Sequence, residues 1–374
     1  MENILINLFI IILAVQADYI GLQSGPQKSV DVFDTFIPPD QFFTKYVIPG
    51  TPVLFRGAAK TFPAFTKWTD EYFQSLPESD TFTVFAEEGK KENRNDGSKH
   101  LTFSEFLNVY KEEDIYYVNP VPPFLASDIP LHLPLNCPFV VNNLLADNVM
   151  WFSSGGTKSV WHNDAYENIN CLMRGKKWFI MANRSETHQK AHIDNREGFY
   201  SSVDVENVDT DKYPGFKDIQ FYNVSMEAGD CLYIPWFWFH HVNSIGSNLA
   251  VNIWWRSYRS PLVCEDKTQL TLDQLHFRDG DENDDGDMPL SEAAHQMIYM
   301  HDRMYTEETI DWPGFLECVG PALDERGMHH ITDADIRRLF KLLDSDEDEL
   351  LNYVEIDNIL TVFPKFLRQF KDEL

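Results

Sequence analysis

His162 and Asp164, two residues apart in Trp161-His162-Asn163-Asp164, have the types and spacing of metal ligands. Side chains at i and i+2 of a strand share a face. One imidazole and one carboxylate would therefore project together, with Asn163 turned the other way. A third ligand has to come from a distant strand. The run from Ala228 to Val242 offers His240 and His241. Adjacent strand residues face opposite ways, so one of the two turns inward. Two imidazoles and a carboxylate leave three positions of an octahedral ion open, the facial arrangement of non-haem Fe(II) oxygenases. On spacing alone a His-x-Asp is more often a surface pair or a satisfied core histidine, and its surroundings have to decide.

A second constellation is made of oxygen ligands. Asp281, Asn283 and Asp285 fall at positions 1, 3 and 5 of a calcium loop, with Gly286 at 6, the Asp287 carbonyl at 7 and Glu292 at 12. Met288 and Pro289 are unusual at positions 8 and 9. A second loop repeats the pattern with Asp344, Asp346, Asp348, the Leu350 carbonyl and Glu355, and places Leu351 at the apolar position 8. Glu349 stands where a glycine would make the sharp turn, which weakens this site. Residues 331–343 read as a capped amphipathic helix entering the second loop. Ala293–Tyr305 and Ile356–Phe370 read as the helices that leave the two loops. Between them, Ile310-Asp-Trp-Pro-Gly-Phe-Leu316 has the look of a degenerate hand without acidic ligands. Ca(II) is the expected ion for both acidic loops.

The histidines and Asp164 need a β scaffold. Residues 115–260 are filled with short β-branched or aromatic runs: 116–118, 149–153, 168–173, 177–181, 230–235 and 249–255. Gly, Pro, Asn and Asp separate them. This pattern predicts an antiparallel barrel or jelly roll, the latter in its double-stranded β-helix form, with flanking helices. Upstream, Pro52–Gly57 reads as a strand and Leu101–Leu107 opens a helix capped by Thr102. The polar stretch 87–100 reads as an exposed loop. From about Ser260 helices and acid-rich loops take over. The expected organisation is a linker over 18–28, a jelly-roll domain over 29–262, a linker over 263–277 and an α-helical calcium-binding region over 278–370.

The chain has 374 residues, 43% hydrophobic and 14% aromatic, which supports a large core and two or three domains and excludes pervasive disorder. Its net charge is −28, and residues 265–374 alone hold 28 acids against 10 bases. Such a surface repels phosphate backbones and argues against nucleic acid as a partner. The apolar run Ile4–Val15, with Val15 and Ala17 as small cleavage-site residues, reads as a signal peptide over 1–17. No later stretch is long and apolar enough to suggest stable membrane insertion. Lys371-Asp-Glu-Leu374 matches the endoplasmic reticulum retrieval address read by the KDEL receptor, so the lumen is the expected location. Asn183 and Asn223 begin glycosylation sequons. Five cysteines form no recognisable framework, and Cys171 and Cys231, inside apolar strands, read as buried free thiols.

The blocks "WHNDAYENINCLMRGKKWFIM" and "AGDCLYIPWFWFHHVNS…LAVNIWW" resemble the JmjC/cupin family of Fe(II)- and 2-oxoglutarate-dependent oxygenases. The likeness is greatest to its small hydroxylase branch, such as the asparaginyl hydroxylase that inhibits hypoxia-inducible factor. The resemblance implies that His162 and Asp164 are proximal iron ligands and that His240, first of the His-His pair, is the distal one. It implies that Lys177 binds the far carboxylate of 2-oxoglutarate, as a buried ammonium needs an anion. Ser159, Asn168, Asn252 and Tyr117 would surround the same cosubstrate, with Tyr116 the rival of Tyr117 and Trp254 assigned to the core. The implied reaction decarboxylates 2-oxoglutarate to succinate and CO2 while hydroxylating a C–H bond, here of a secretory-pathway protein. N-methyl demethylation uses the same chemistry. A jelly roll that had lost turnover would instead be a calcium-binding scaffold, against which the complete triad and Lys177 argue.

Overall fold

The computed structural model describes residues 27–89, 91–92, 97–183, 190, 200–258, 261–264, 269–277, 290–299, 301, 304, 309–352, 355–356 and 358–373. Segment 1–17 lies outside them. So do Asp281, Asn283, Asp285, Asp287 and the side chain of Glu292, the first acidic loop.

The strands are β1 (Gln27–Lys28), β2 (Asp31–Phe33), β3 (Val53–Phe55), β4 (Thr83–Glu88), β5 (Lys91–Glu92), β6 (Ser98–Thr102), β7 (Ile115–Asn119), β8 (Leu145–Ser153), β9 (Lys158–His162), β10 (Glu167–Ala182), β11 (Phe221–Glu227), β12 (Cys231–Ile234), β13 (Phe239–Trp255), β14 (Thr309–Asp311) and β15 (Leu350–Asn352). Thirteen of them form one mixed sheet whose main path runs β2-β3-β12-β10-β13-β8-β7-β4-β6. The segment 87–100, read as a loop, contributes the ends of β4 and β6 and the short β5. The helix after Leu101 spans Phe103–Val109, and Thr102 and Glu105 close a reciprocal capping box at its start.

Two long strands organise the sheet. β10 pairs with β13 along its length. Its first part also pairs with β12 and its second part with β11. Register shifts between Leu172 and Lys176 bend β10 where the partners change. Gly175 sits in this bend at φ +84°, and a Cβ there would lie 2.5 Å from the Ser247 carbonyl oxygen. Only glycine fits. The largest core, between the sheet and the N-terminal helices, is dense in aromatics such as Phe42, Phe55, Phe73 and Phe106.

A separate core belongs to α1 (Leu290–Tyr299), α2 (Trp312–Glu325), α3 (Asp333–Leu343) and α4 (Ile359–Leu367). Thr332 and Asp335 cap α3 reciprocally. β14 and β15 pair antiparallel, with Ile310 opposite Leu351, both fully buried. The strand of the second acidic loop is thus joined to the stretch read as a degenerate hand. A buried apolar pair, and not shared acidity, sets that partnership.

Several expectations are corrected. Cys171 and Cys231 are disulfide-bonded, as are Cys137 and Cys264. The apolar context of Cys171 and Cys231 signals burial, but it cannot show that the two are direct cross-strand partners. Residues 263–264 and 269–277 are no free linker. Cys264 is tied to Cys137, the Leu131 amide donates to the Leu270 carbonyl at 2.7 Å, and Leu272 is buried in the large core. Asn223 lies within β11 with its amide group buried, which withdraws that sequon from the surface. Lys28, assigned to a linker, pairs through β1 with β11. No helix among the described residues is long and apolar enough to cross a membrane.

Candidate metal centre

Strand alternation and pairing bring the two histidines together. On β9, Trp161 points into a core where its ring stacks on Phe239 of β13, with centroids 5.5 Å apart. Each following residue, His162 and His240, takes the opposite face, and the two are direct cross-strand partners. Asp164 follows β9 in the connection to β10. Its carboxylate lies 3.8 Å from His162 Nε2 and 3.5 Å from His240 Nε2. One ligand atom from each of the three residues lies within 4.8 Å of the other two. Ligands about 2.1 Å from one ion stand roughly 3 to 3.5 Å apart, so the spacing suits a shared divalent metal.

The histidines are also oriented for it. His162 Nδ1 contacts the Val160 carbonyl oxygen at 2.5 Å, and His240 Nδ1 contacts the Trp238 carbonyl at 2.9 Å. A carbonyl only accepts, so each Nδ1 carries a proton and each ring turns its Nε2, the ligating atom, to the centre. His241 takes the other face of β13. Its Nε2 lies 3.6 Å from Glu206 Oε1, and Asn243 donates to the same carboxylate. Hydrogen bonding from His241 and then from Lys158 and Asn243 holds the Glu206 carboxyl down to about 2, against the opposing effect of burial. His241 therefore belongs to a polar cluster with Glu206 and Asn243, on the face away from the triad.

The triad opens into a small pocket that is partly open to solvent. Ser159, Asn168, Lys177 and Asn252 all line it. Lys177 is 4% exposed, and its ammonium lies 5.4 Å from the Trp151 ring centroid. The Asn252 amide donates to Asn168 Oδ1 at 3.0 Å, and the Asn170 amide donates to Asn252 Oδ1 at 2.5 Å, a ladder across β10 and β13. Three buried polar atoms of the wall, Trp151 Nε1, Trp254 Nε1 and Asn170 Oδ1, have no protein partner. The two indole N–H donors beside a buried cation suit an anionic occupant such as the dicarboxylate 2-oxoglutarate, whereas Asn170 Oδ1 can only accept.

Tyr117 is not part of this wall. It is fully buried among Phe103 and Phe106, donates its hydroxyl to the Pro120 carbonyl at 2.6 Å, and burial pushes its phenol far up. β7 pairs Tyr117 with Phe152, on the face opposite Trp151. Tyr116 has the Trp151 side, stacked at 6.3 Å and donating to Glu87. Trp254, assigned to the core, instead lines the cavity and stacks on Tyr166. Asn170, Trp151 and Trp254, with the apolar Phe179, Ile234 and Val242, are cavity residues that the sequence reading did not assign there. Asn170 follows Asn168 by two, and that alternation was the available signal.

In the second acidic loop, carboxylate oxygens of Asp344, Asp346 and Asp348 lie within 4.8 Å of one another. Buried Asp344 Oδ1 has no partner. Glu355 is folded back and accepts from the Ser345 amide at 2.7 Å and the Asn352 amide at 3.1 Å. Leu350 begins β15 and donates its amide to Asp348 at 2.8 Å. Glu347 and Glu349 have φ of +60° and +64°, so the turn that usually uses glycine is made here by side-chain-bearing residues at a steric cost.

Residues 39–260 match the family of the cupin-like domain. The chain belongs to that family. Its cupin-like domain is similar to Lysine-specific demethylase JMJ30 of Arabidopsis thaliana, 29% identical over 57% of this chain and 52% of that protein. It is 28% identical to Lysine-specific demethylase 8 of Xenopus tropicalis, over 58% of this chain and 50% of the relative. The human Bifunctional peptidase and (3S)-lysyl hydroxylase JMJD7 is 27% identical over 58% of this chain and 81% of that protein. The chain thus spans about half the length of the first two. JmjC-type members of the family use Fe(II) and 2-oxoglutarate, and the His-Asp-His triad is present here.

Proposed function

We propose that this chain is an Fe(II)- and 2-oxoglutarate-dependent hydroxylase that acts on a side chain of a secretory-pathway protein. The observation that carries the reading is the convergence of His162, Asp164 and His240 with both Nδ1 atoms committed to backbone carbonyls. Bound together, Fe(II) and 2-oxoglutarate supply the oxidising chemistry. The chain's own residues do the rest. His162, Asp164 and His240 would hold the ion at the wall of the cavity. Lys177 neutralises the far carboxylate of the cosubstrate, with Ser159, Asn168 and Asn252 offering polar contacts around it. Trp151, Phe179, Ile234 and Trp254 contribute apolar ring and alkyl surface to the cavity wall.

The test is succinate release from 2-oxoglutarate by the purified chain with Fe(II) and a lumenal extract. His240→Ala should abolish release and His241→Ala should leave it. Release that persists in His240→Ala, or that needs no iron, defeats the reading. Demethylation is the second reading, because two relatives carry that name. Stoichiometric formaldehyde beside succinate would select it.

A lumenal location belongs to the same proposal. Two disulfides favour an oxidising compartment, in keeping with the apolar run Ile4–Val15 and Lys371–Leu374 as a KDEL-receptor ligand. The C-terminal helices, on this reading, are a paired EF-hand unit. Asp344, Asp346, Asp348, the Leu350 carbonyl and Glu355 would hold Ca(II), and the hand containing β14 would be the silent partner. A cytosolic distribution of the tagged full-length protein would remove the lumenal assignment.

A further inference from the structure

Between β12 and β13 the chain reads Pro235-Trp236-Phe237-Trp238 and then enters β13 at Phe239, one residue before His240. Trp236 and Phe237 leave the cupin-like domain. They are 3% and 1% exposed, and both are buried in the core of α1–α4. Ala165, next to Asp164, packs against that same core. Phe237 has φ +55°, a left-handed conformation that a bulky aromatic adopts only where its surroundings over-determine it. Here the backbone is held as well as the ring. The Phe237 amide donates to the Asp164 carbonyl at 2.9 Å. The Trp236 amide donates to Glu167 Oε2 at 2.9 Å. Glu167 is fully buried and also accepts from the hydroxyls of Tyr233 at 2.6 Å and Ser257 at 2.8 Å. The turn ahead of His240 is thereby stitched to the connection that carries Asp164, and its two rings are socketed in the helical unit.

We propose that the C-terminal helical unit is part of the frame of the metal centre. By gripping Trp236 and Phe237 it holds Asp164 and His240 at ligating distance, and Phe237 is a positioning residue for the divalent ion. This rests on the metal reading of His162, Asp164 and His240. Interiors are close-packed and transmit strain, so loosening the helical core, even far from the turn, loosens the ligands. Ile310, fully buried where β14 meets β15, offers such a remote site.

Cobalt(II) titration of the full chain, followed by its visible absorption, tests this with thermal melts alongside. Phe237→Ala and Ile310→Ala should each weaken cobalt binding about 10- to 100-fold, as loss of an outer partner of a metal ligand does. Val140→Ala, fully buried in the largest core, is the control and should bind as the unmodified chain does. Should Phe237→Ala not fold, Phe237→Gly, which relieves the left-handed strain while removing the ring, and Ile310→Val take its place. Unchanged affinity in the Phe237 and Ile310 variants overturns the proposal, and so does an equal loss in Val140→Ala. An unmodified chain that binds no cobalt, or binds it independently of His162, overturns the metal reading instead.

Discussion

His162 and His240 lie directly opposite each other on β9 and β13, with ring centroids 4.2 Å apart and planes at 51°. The tilt lets both Nε2 atoms address one point beside Asp164. A one-residue slip between the two strands would put His241 in place of His240. The neighbouring Trp161–Phe239 stack opposes that slip, since both rings would lose their shared core.

Lys177 is the cation of the cavity. Lys177→Ala should raise the half-saturating concentration of 2-oxoglutarate about a hundredfold, the typical consequence of removing one member of a buried charge pair. Cobalt affinity should stay as it was. An unchanged 2-oxoglutarate requirement would take Lys177 out of the cosubstrate site.

His132 makes the fold sensitive to mild acid. It is stacked between Phe36 and Phe62, and burial pushes its imidazolium down to about 4. In the unfolded chain it protonates near 6.5. Between those values the unfolded state holds the extra proton, so stability falls as pH drops from about 6.5 to 4, by ~3 kcal/mol in total. Urea titrations at several pH values should show this slope in the unmodified chain and its loss in His132→Phe. Parallel slopes for the two would refute it.

The disulfides Cys171–Cys231 and Cys137–Cys264 span separations of 60 and 127 residues. Removing either by Cys→Ser at both ends should cost about 2–5 kcal/mol. Denaturant unfolding measures that cost. Peptide mapping that found Cys171 or Cys264 as a free thiol would contradict the pairing.

Calcium at the second acidic loop should raise the melting temperature of the helical unit, and Glu355→Ala should cancel the rise. Glu355 already satisfies the Ser345 and Asn352 amides without an ion, and Glu349 strains the turn. The affinity should therefore be weak, on the order of 10⁻⁴ to 10⁻³ M. Isothermal titration that shows no calcium heat, with a melting temperature indifferent to chelator, would remove calcium from the proposal.

Local pattern alone determined a good deal. The His-x-Asp spacing singled out His162 and Asp164, although only His162 is on a strand and Asp164 reaches the centre from the connection after β9. Alternation limited His240 and His241 to one inward ring. Thr102 and Thr332 marked two helix starts, and the run of short aromatic strands indicated a β-rich domain. These features depend on periods of two and on caps within one turn, which a sequence displays directly. Neighbourhood is different. That Cys171 meets Cys231, that Tyr117 turns to the core while Tyr116 turns to Trp151, and that Trp254 walls the cavity all follow from which strand lies beside which, and in what register. In Trp236-Phe237-Trp238-Phe239, consecutive rings are divided among three separate cores, although the letters nearly repeat. Hydrophobicity says that a side chain is buried, but only long-range packing chooses against what.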